Sequence, residues 1–376
     1  MAVDTRRIPT THTGSLPRPG DLAQMIFDRD DGQSVPGIEE RVRGAVEEIV
    51  REQVEAGVDV VNDGEQGKIS YATYIKDRLS GFEGDIGGVA PLDVIAHPDF
   101  GERMASLMSS IRFAQPACTG EIRRVDHESV HTDIANLKAA AKAAGAERVF
   151  MTAASPGVVA MFFANRHYGS REAYLAAIAD AMREEYEAIA AAGITLQLDC
   201  PDLGAGASMS TEGLDARRRD VGLAIEALND AVRSIPPEQL RLHVCWGNYE
   251  GPHDKDVELT DLLDLILRAR PAGLSIEAAN PRHAHEWEVF AGARVPDEKY
   301  LIPGVVDSTN NYVEHPRLVA QRLVNYGRVV GRDRVMAGSD CGFGTFVGQV
   351  NVVPSVTWAK LQSMAEGARI AWAQLA

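Results

Sequence analysis

Cysteine is scarce in this chain of 376 residues: Cys118, Cys200, Cys245 and Cys341 are the four, widely spaced. So few, so far apart, do not make the disulfide framework of a small secreted domain. In a cytoplasmic enzyme, which this chain is expected to be, such cysteines serve as metal ligands, nucleophiles or small core residues. Long apolar runs are also missing; none approaches the roughly 18 residues of a membrane-spanning helix. The opening MAVDTRRIPTTHTGSLPRP has no apolar stretch of the kind a secretory leader carries. Basic residues are outnumbered, 38 Lys and Arg against 54 Asp and Glu, for a net charge of −16. That balance argues against nucleic acid or an anionic membrane as partner and leaves small molecules, with homo-oligomers compatible. No Gly-rich phosphate loop follows the first strand candidate, which weakens an open dinucleotide-binding sheet.

What is present is apolar bulk, 45% of residues, enough for a large core. Strand and helix patterns alternate. The eight strand candidates are IPTTHTG, VDVVNDGE, RVFMTAAS, ITLQLDCP, LRLHVCWG, GLSIEAAN, YLIPGVVDS and RVMAGSDCG. Between the first two, Ile38, Val42, Ala45, Val46, Ile49, Val50 and Val54 recur at helical spacing, and Gly57 ends the helix. This alternation predicts an α/β fold, a parallel (β/α)8 TIM barrel, as one domain over residues 1–376. Residues 66–146 are too long for one crossover and read as an inserted subdomain after the second strand. It holds a Gly/Pro/Asp-rich stretch, a strand candidate ACTGEIRR and a helix near DIANLKAAAKAAG.

In such barrels the chemistry sits at the C-terminal strand ends. Those ends carry Ser15, Asp63 and Glu65, Ser155, Asp199 and Cys200, His243 and Cys245, Glu277, Asp307, and Asp340 and Cys341. His243, Cys245, Glu277 and Cys341 offer a complete tetrahedral set for zinc, and thiolates with imidazole favour zinc over magnesium or calcium. In HVC the strand alternation points both ligands to one side. Cys200 either lines the site or replaces Glu277 as fourth ligand, and Cys118 reads as a core residue. Aromatics in SPGVVAMFFANRHYGS and WGNYEGPH read equally as the wall of a substrate pocket or as lid packing. His253, His283, His285 and His315 read as solvated by default.

These residues resemble the C-terminal catalytic barrel of cobalamin-independent methionine synthase, from TTHTGSLPRP to AGSDCGFGT. The resemblance implies zinc on His243, Cys245, Glu277 and Cys341, and a homocysteine amino group held by Ser15, Glu65 and Asp199. There are departures: DCP stands where the family has DEP, a stacking Trp has no counterpart near Phe162, and Thr309 replaces the family's acidic His. The thiol side is kept and the methyl-donor side rebuilt. Short single-barrel relatives include epoxyalkane:coenzyme M transferase. The expected activity is therefore zinc-dependent S-alkylation of a thiol, most simply methylation of homocysteine. The alternative is opening of a short epoxide by coenzyme M, whose sulfonate would call on Arg18. Asp307, His253, Tyr312 or a water would supply the leaving group's proton. A zinc hydrolase or decarboxylase ranks lower, because two thiolates weaken the ion as a Lewis acid.

Overall fold

The computed structural model describes residues 7–87, 90–108 and 115–375. The first six residues, part of the segment read for a leader, lie outside the described residues. Among the described residues nine strands run in chain order: β1 (Val60–Val61), β2 (Phe82–Glu83), β3 (Ala117–Cys118), β4 (Arg148–Ala154), β5 (Thr195–Asp199), β6 (Leu240–Val244), β7 (Gly273–Ile276), β8 (Tyr300–Val306) and β9 (Gly338–Ser339). Seven form one parallel sheet in the order β1-β4-β5-β6-β7-β8-β9, each neighbour following the last in sequence, as successive right-handed β-helix-β units require. Strands β2 and β3 pair antiparallel in a separate small sheet.

The first strand expected from the sequence, IPTTHTG, is not a strand: it contributes a single bridge, Thr10 to Ala337. The cause is local. Pro9 has no N–H, and the Thr10 N–H and hydroxyl both go to Asp59 Oδ2, at 2.9 and 3.0 Å. Even so, the segment touches both sheet edges. Ala337 N donates to Pro9 O at 2.8 Å, Thr11 N to Ala337 O at 2.8 Å, and Val60 N to Thr10 O at 3.0 Å.

The helices obey their patterns. Ile38–Glu55 buries Ile38, Val42, Ala45, Val46, Ile49 and Val50, and Gly57 follows at φ 86°, a conformation glycine tolerates best. Gln53 of the same helix is also buried and faces His12 Nε2 at 2.8 Å. Within residues 66–146, helix Ser129–Ala144 packs along Ile38–Glu55 and leads into β4. Short helices Leu92–Ala96 and Pro98–Met108 lie in the same region. No helix among the described residues is long and apolar enough to cross a membrane.

A buried cation ties the N-terminal segment to the sheet. Arg241 Nη2 donates to His12 O at 2.8 Å, Nη1 to Thr11 Oγ1 at 3.1 Å and Nε to Gln197 Oε1 at 2.7 Å. Its guanidinium lies 3.6 Å from the Phe150 ring centroid. Gln197 in turn donates to Asp199 Oδ1 at 2.7 Å, so this network aims the carboxylate at the end of β5.

Candidate functional site

Strands β5 to β7 end side by side, Asp199 in register with His243 and His243 with Ser275. The next turns carry Cys245 and Glu277. Ligand atoms of His243, Cys245 and Cys341 all lie within 4.8 Å of one another, and all three residues are buried. Cys341 Sγ sits 3.9 Å from Glu277 Oε1. Glu277 is fixed from two sides: Trp246 N donates to Oε1 at 2.7 Å and Asn280 Nδ2 to Oε2 at 3.0 Å. Its turn is held by Asp340, whose Oδ1 accepts from Ala278 N and Ala279 N and whose Oδ2 accepts from Asn280 N. Asp340 thus pins the neighbouring turn, although it stands beside Cys341 in sequence.

The electrostatics suit a soft cation. Burial, then the nearby Arg241, lowers His243 to about 3, so its imidazole is neutral, the form that binds metal. Cys341 is pushed well above the usual thiol range by its hydrogen bond to Cys245, then by burial and Glu277. Burial also raises Glu277, opposed by His283 and His253. Acidic donors crowded together out of water bind protons tightly, and a divalent ion at their centre relieves that crowding. The donor set therefore fits zinc.

Glu65 and Asp199 flank the same cavity. Glu65 has φ 55°, a left-handed conformation unusual for a residue with a side chain. Its Oε1 accepts from Thr152 Oγ1 at 2.9 Å, while buried Oε2 has no hydrogen-bond partner among the described residues. Burial raises both carboxylates, and their mutual repulsion raises Asp199 further. Ser15 lies against Gly342, where any Cβ would collide with its hydroxyl. Above these groups opens a cavity of about 290 Å³, lined largely by apolar side chains. Phe162, Trp246 and Tyr249 line it, as the sequence aromatics suggested; Tyr71, Phe346 and Met161 also do.

Other sequence candidates fall elsewhere. Arg18 is half-buried and outside the cavity lining, its guanidinium donating to Gly344 O and to Glu65 O. The Asp307 carboxylate accepts from Thr309 N and Oγ1 and from Asn310 Nδ2. Tyr312 is 81% exposed. Asp63 Oδ1 accepts from Glu65 N, and Ser155 caps helix Pro156–Phe162. Cys200 is wholly buried with Sγ toward Leu198 O, outside the His243–Cys245–Cys341 group, and Cys118 is a core residue. His285 and His315 are exposed as expected. His253 and His283 are not: each is 2% exposed. Asp256 Oδ2 bridges them, 2.7 Å from His253 Nδ1 and 3.1 Å from His283 Nε2, and Tyr249 and Trp246 stack on them. Burial lowers His283, but Asp256 and Glu286 overcome it and lift the group to about 10. Acidic partners and ring stacking make burial tolerable for these cations; Asp256 and Glu286 each stand three residues after a histidine, while the Asp256–His283 bond and the Trp246 stack span the fold.

Soft ligands gathered at the C-terminal edge of a parallel sheet, beneath an apolar cavity, define an α/β protein with a candidate metal site at its strand ends. The model of the cobalamin-independent synthase catalytic domain matches residues 107–369, and the chain belongs to that family. The methionine synthase of Thermococcus kodakarensis is 25% identical over 371 residues, 98% of this chain and 95% of the relative. That of Saccharolobus solfataricus is 26% identical over 367 residues, 96% of this chain and 94% of the relative. In fold the chain is similar to the B12-independent methionine synthase from Shewanella sp. W3-18-1 in complex with selenomethionine, with a TM-score of 0.73 at 20% identity, covering 98% of this chain and 99% of that one. A second similar structure, a putative vitamin-B12 independent methionine synthase from Listeria monocytogenes, gives 0.67 at 18% identity, covering 96% and 98%.

Proposed function

We propose that the protein is a methyltransferase acting on a thiol, homocysteine or a similar amino-acid thiol, with zinc on His243, Cys245, Glu277 and Cys341. The observation that carries this reading is the meeting of three buried soft ligand atoms within 4.8 Å at a cavity edge, with Glu277 alongside. Full-length curated relatives named methionine synthase support it. Zinc bound there lowers a thiol's pKa and keeps the sulfur as a nucleophilic thiolate. The electron-rich ligands, two thiolates and a carboxylate, favour that role over activation of water. Glu65 and Asp199 receive the ammonium group of the acceptor, Gln197 orients Asp199, and the apolar cavity excludes water around the reacting carbon. The donation of both Arg18 guanidinium nitrogens to backbone carbonyls disfavours a sulfonate acceptor such as coenzyme M.

In the same reading the sheet is a closed barrel in which residues 9–11 take the eighth strand position, and the chain is one domain with an insertion after the second strand. The test combines elemental analysis, expected to find about one zinc per chain, with methylation of homocysteine by the zinc-loaded protein. Protein that binds neither zinc nor homocysteine would refute the assignment.

A further inference from the structure

The methyl-donor side of the cavity carries its own chemistry. Tyr71, Phe162 and Phe346 pack on one another, with ring centroids 5.8 Å apart for Tyr71–Phe162, 5.8 Å for Tyr71–Phe346 and 6.3 Å for Phe162–Phe346. All three line the cavity. Four carboxylates line it too: Glu65, Asp93, Asp199 and Asp256. Among the described lining residues the basic ones are His243, assigned above to the metal site, and exposed Lys255; none is an arginine. Asp256 is matched by His253 and His283. Asp93 takes its bonds from neutral donors, the Tyr249 hydroxyl at 2.8 Å and the His253 backbone N–H at 2.9 Å. Glu65 Oε2 is buried without a partner. With Glu65 and Asp199 given to the acceptor's ammonium group and Asp256 to the two histidines, Asp93 is the buried carboxylate left to the donor, in a wall otherwise aromatic and apolar.

A second observation concerns protons. A methyl group leaving a folate nitrogen requires an acid. His253 has both ring nitrogens engaged, by Asp256 and by Tyr249 O. The Asp307 carboxylate is taken up by Thr309 and Asn310, and Tyr312 faces solvent. None of the three is among the described residues lining the cavity.

We propose that the donor is a methylated onium compound, an S-methyl sulfonium, held against Tyr71, Phe162 and Phe346 in the cavity that the Asp93 carboxylate also lines. Aromatic faces attract such cations through the ring quadrupole, and anionic side chains add to the field. This donor needs no acid. The acceptor sulfur's lone pair forms the new S–CH3 bond. The donor's S–CH3 bond breaks with its electron pair kept on the donor sulfur, which leaves as a neutral thioether. The net reaction is thiol plus sulfonium to two thioethers, with release of the proton lost when the thiol binds. By contrast, methyl-tetrahydrofolate brings an anionic tail to this wall and a leaving nitrogen to protonate.

The inference rests on the thiol-methyltransferase reading, and the experiment separates the two. Calorimetry on the zinc-loaded protein measures homocysteine binding alone. It also compares choline with 3,3-dimethyl-1-butanol, its neutral isostere, as probes of the donor wall. Methyl transfer to homocysteine is then followed from S-methylmethionine, trimethylsulfonium and methyl-tetrahydrofolate. The expected results are homocysteine binding, choline preferred by at least about 5-fold, and transfer from a sulfonium with proton release. In Phe162→Leu and Phe346→Leu the choline preference falls toward unity while zinc content is retained. Equal affinity for choline and its isostere, or no transfer from either sulfonium, overturns the donor assignment; homocysteine binding then leaves the thiol reading standing. Failure of homocysteine to bind overturns both.

Discussion

Replacing Glu65 by Gln isolates the recognition of the acceptor's amino group. The amide oxygen of the new side chain keeps the bond from Thr152 Oγ1, 2.9 Å in the present structure, and its NH2 replaces the unpartnered Oε2. The substitution therefore removes charge with little change of shape. A charge-assisted hydrogen bond contributes about 1.5–3 kcal/mol, so homocysteine affinity falls by roughly 10- to 150-fold. The reference ligand is 4-mercaptobutanoate, which keeps the thiol and carboxylate and lacks the amino group. Its affinity barely changes. Calorimetry with both thiols on both proteins gives a thermodynamic cycle whose coupling is the contact itself. The unliganded protein supplies a second readout of opposite sign. Burial raises the Glu65 pKa in the folded state. Its ionised form is thus a liability above the folded pKa, and that liability vanishes below the unfolded one. At neutral pH Glu65→Gln keeps or raises Tm while weakening homocysteine. Equal losses for both thiols, or a marked fall in Tm, would refute the assignment of Glu65 to the ammonium group.

Three further outcomes are expected. Cys245→Ser and Cys341→Ser each lose zinc by elemental analysis while circular dichroism stays native; full zinc retention in both would remove the ligand set. Gly342→Ala drives a methyl group into the Ser15 hydroxyl, so thiol affinity should fall, and overpacking should lower stability by about 1–3 kcal/mol in denaturant melts. The last concerns Glu185, buried between Arg78 and Arg124 at 3.0 and 2.9 Å. Burial alone would raise it, but the two guanidinium groups hold it at about 2, below its ordinary 4.5. Its contribution, on the order of 3 kcal/mol, is present above the unfolded value and lost as pH falls through the folded one. Glu185→Gln is therefore destabilised at pH 7, with the gap to the parent closing between about pH 4.5 and 2; a gap independent of pH would contradict this.

Much of the architecture was legible because it is written in short-range patterns. Seven of the strand candidates appear in the parallel sheet, since an apolar run ending in polar residues is a local signal. The eighth failed at Pro9 and Thr10, where a missing N–H and a competing Asp59 carboxylate outweigh apolar patterning. His-x-Cys was readable because strand alternation alone sends both side chains one way. The burial of His253 and His283 was not: Asp256, Glu286 and Tyr249 lie three or four residues from a histidine, a spacing solvated loops also show, and the Asp256–His283 bond and the Trp246 stack meet only on folding. Tyr71 carried no signal as a cavity residue, since its neighbours Phe162 and Phe346 are far away in sequence.

The chain's own order of residues determined the alternation of strands and helices, the acidic balance and the set of soft ligands at strand ends. Those follow from periodicity and residue chemistry, which act over a few positions. Only the tertiary structure decided which of the many strand-end carboxylates share a cavity. It brought Glu277 to Cys341, left Asp340 as a pin for the next turn, and turned Asp307 onto its own loop. Side-chain direction at a strand end is set by the turn that follows and by the neighbouring strand's turn, and these meet only when the sheet is assembled.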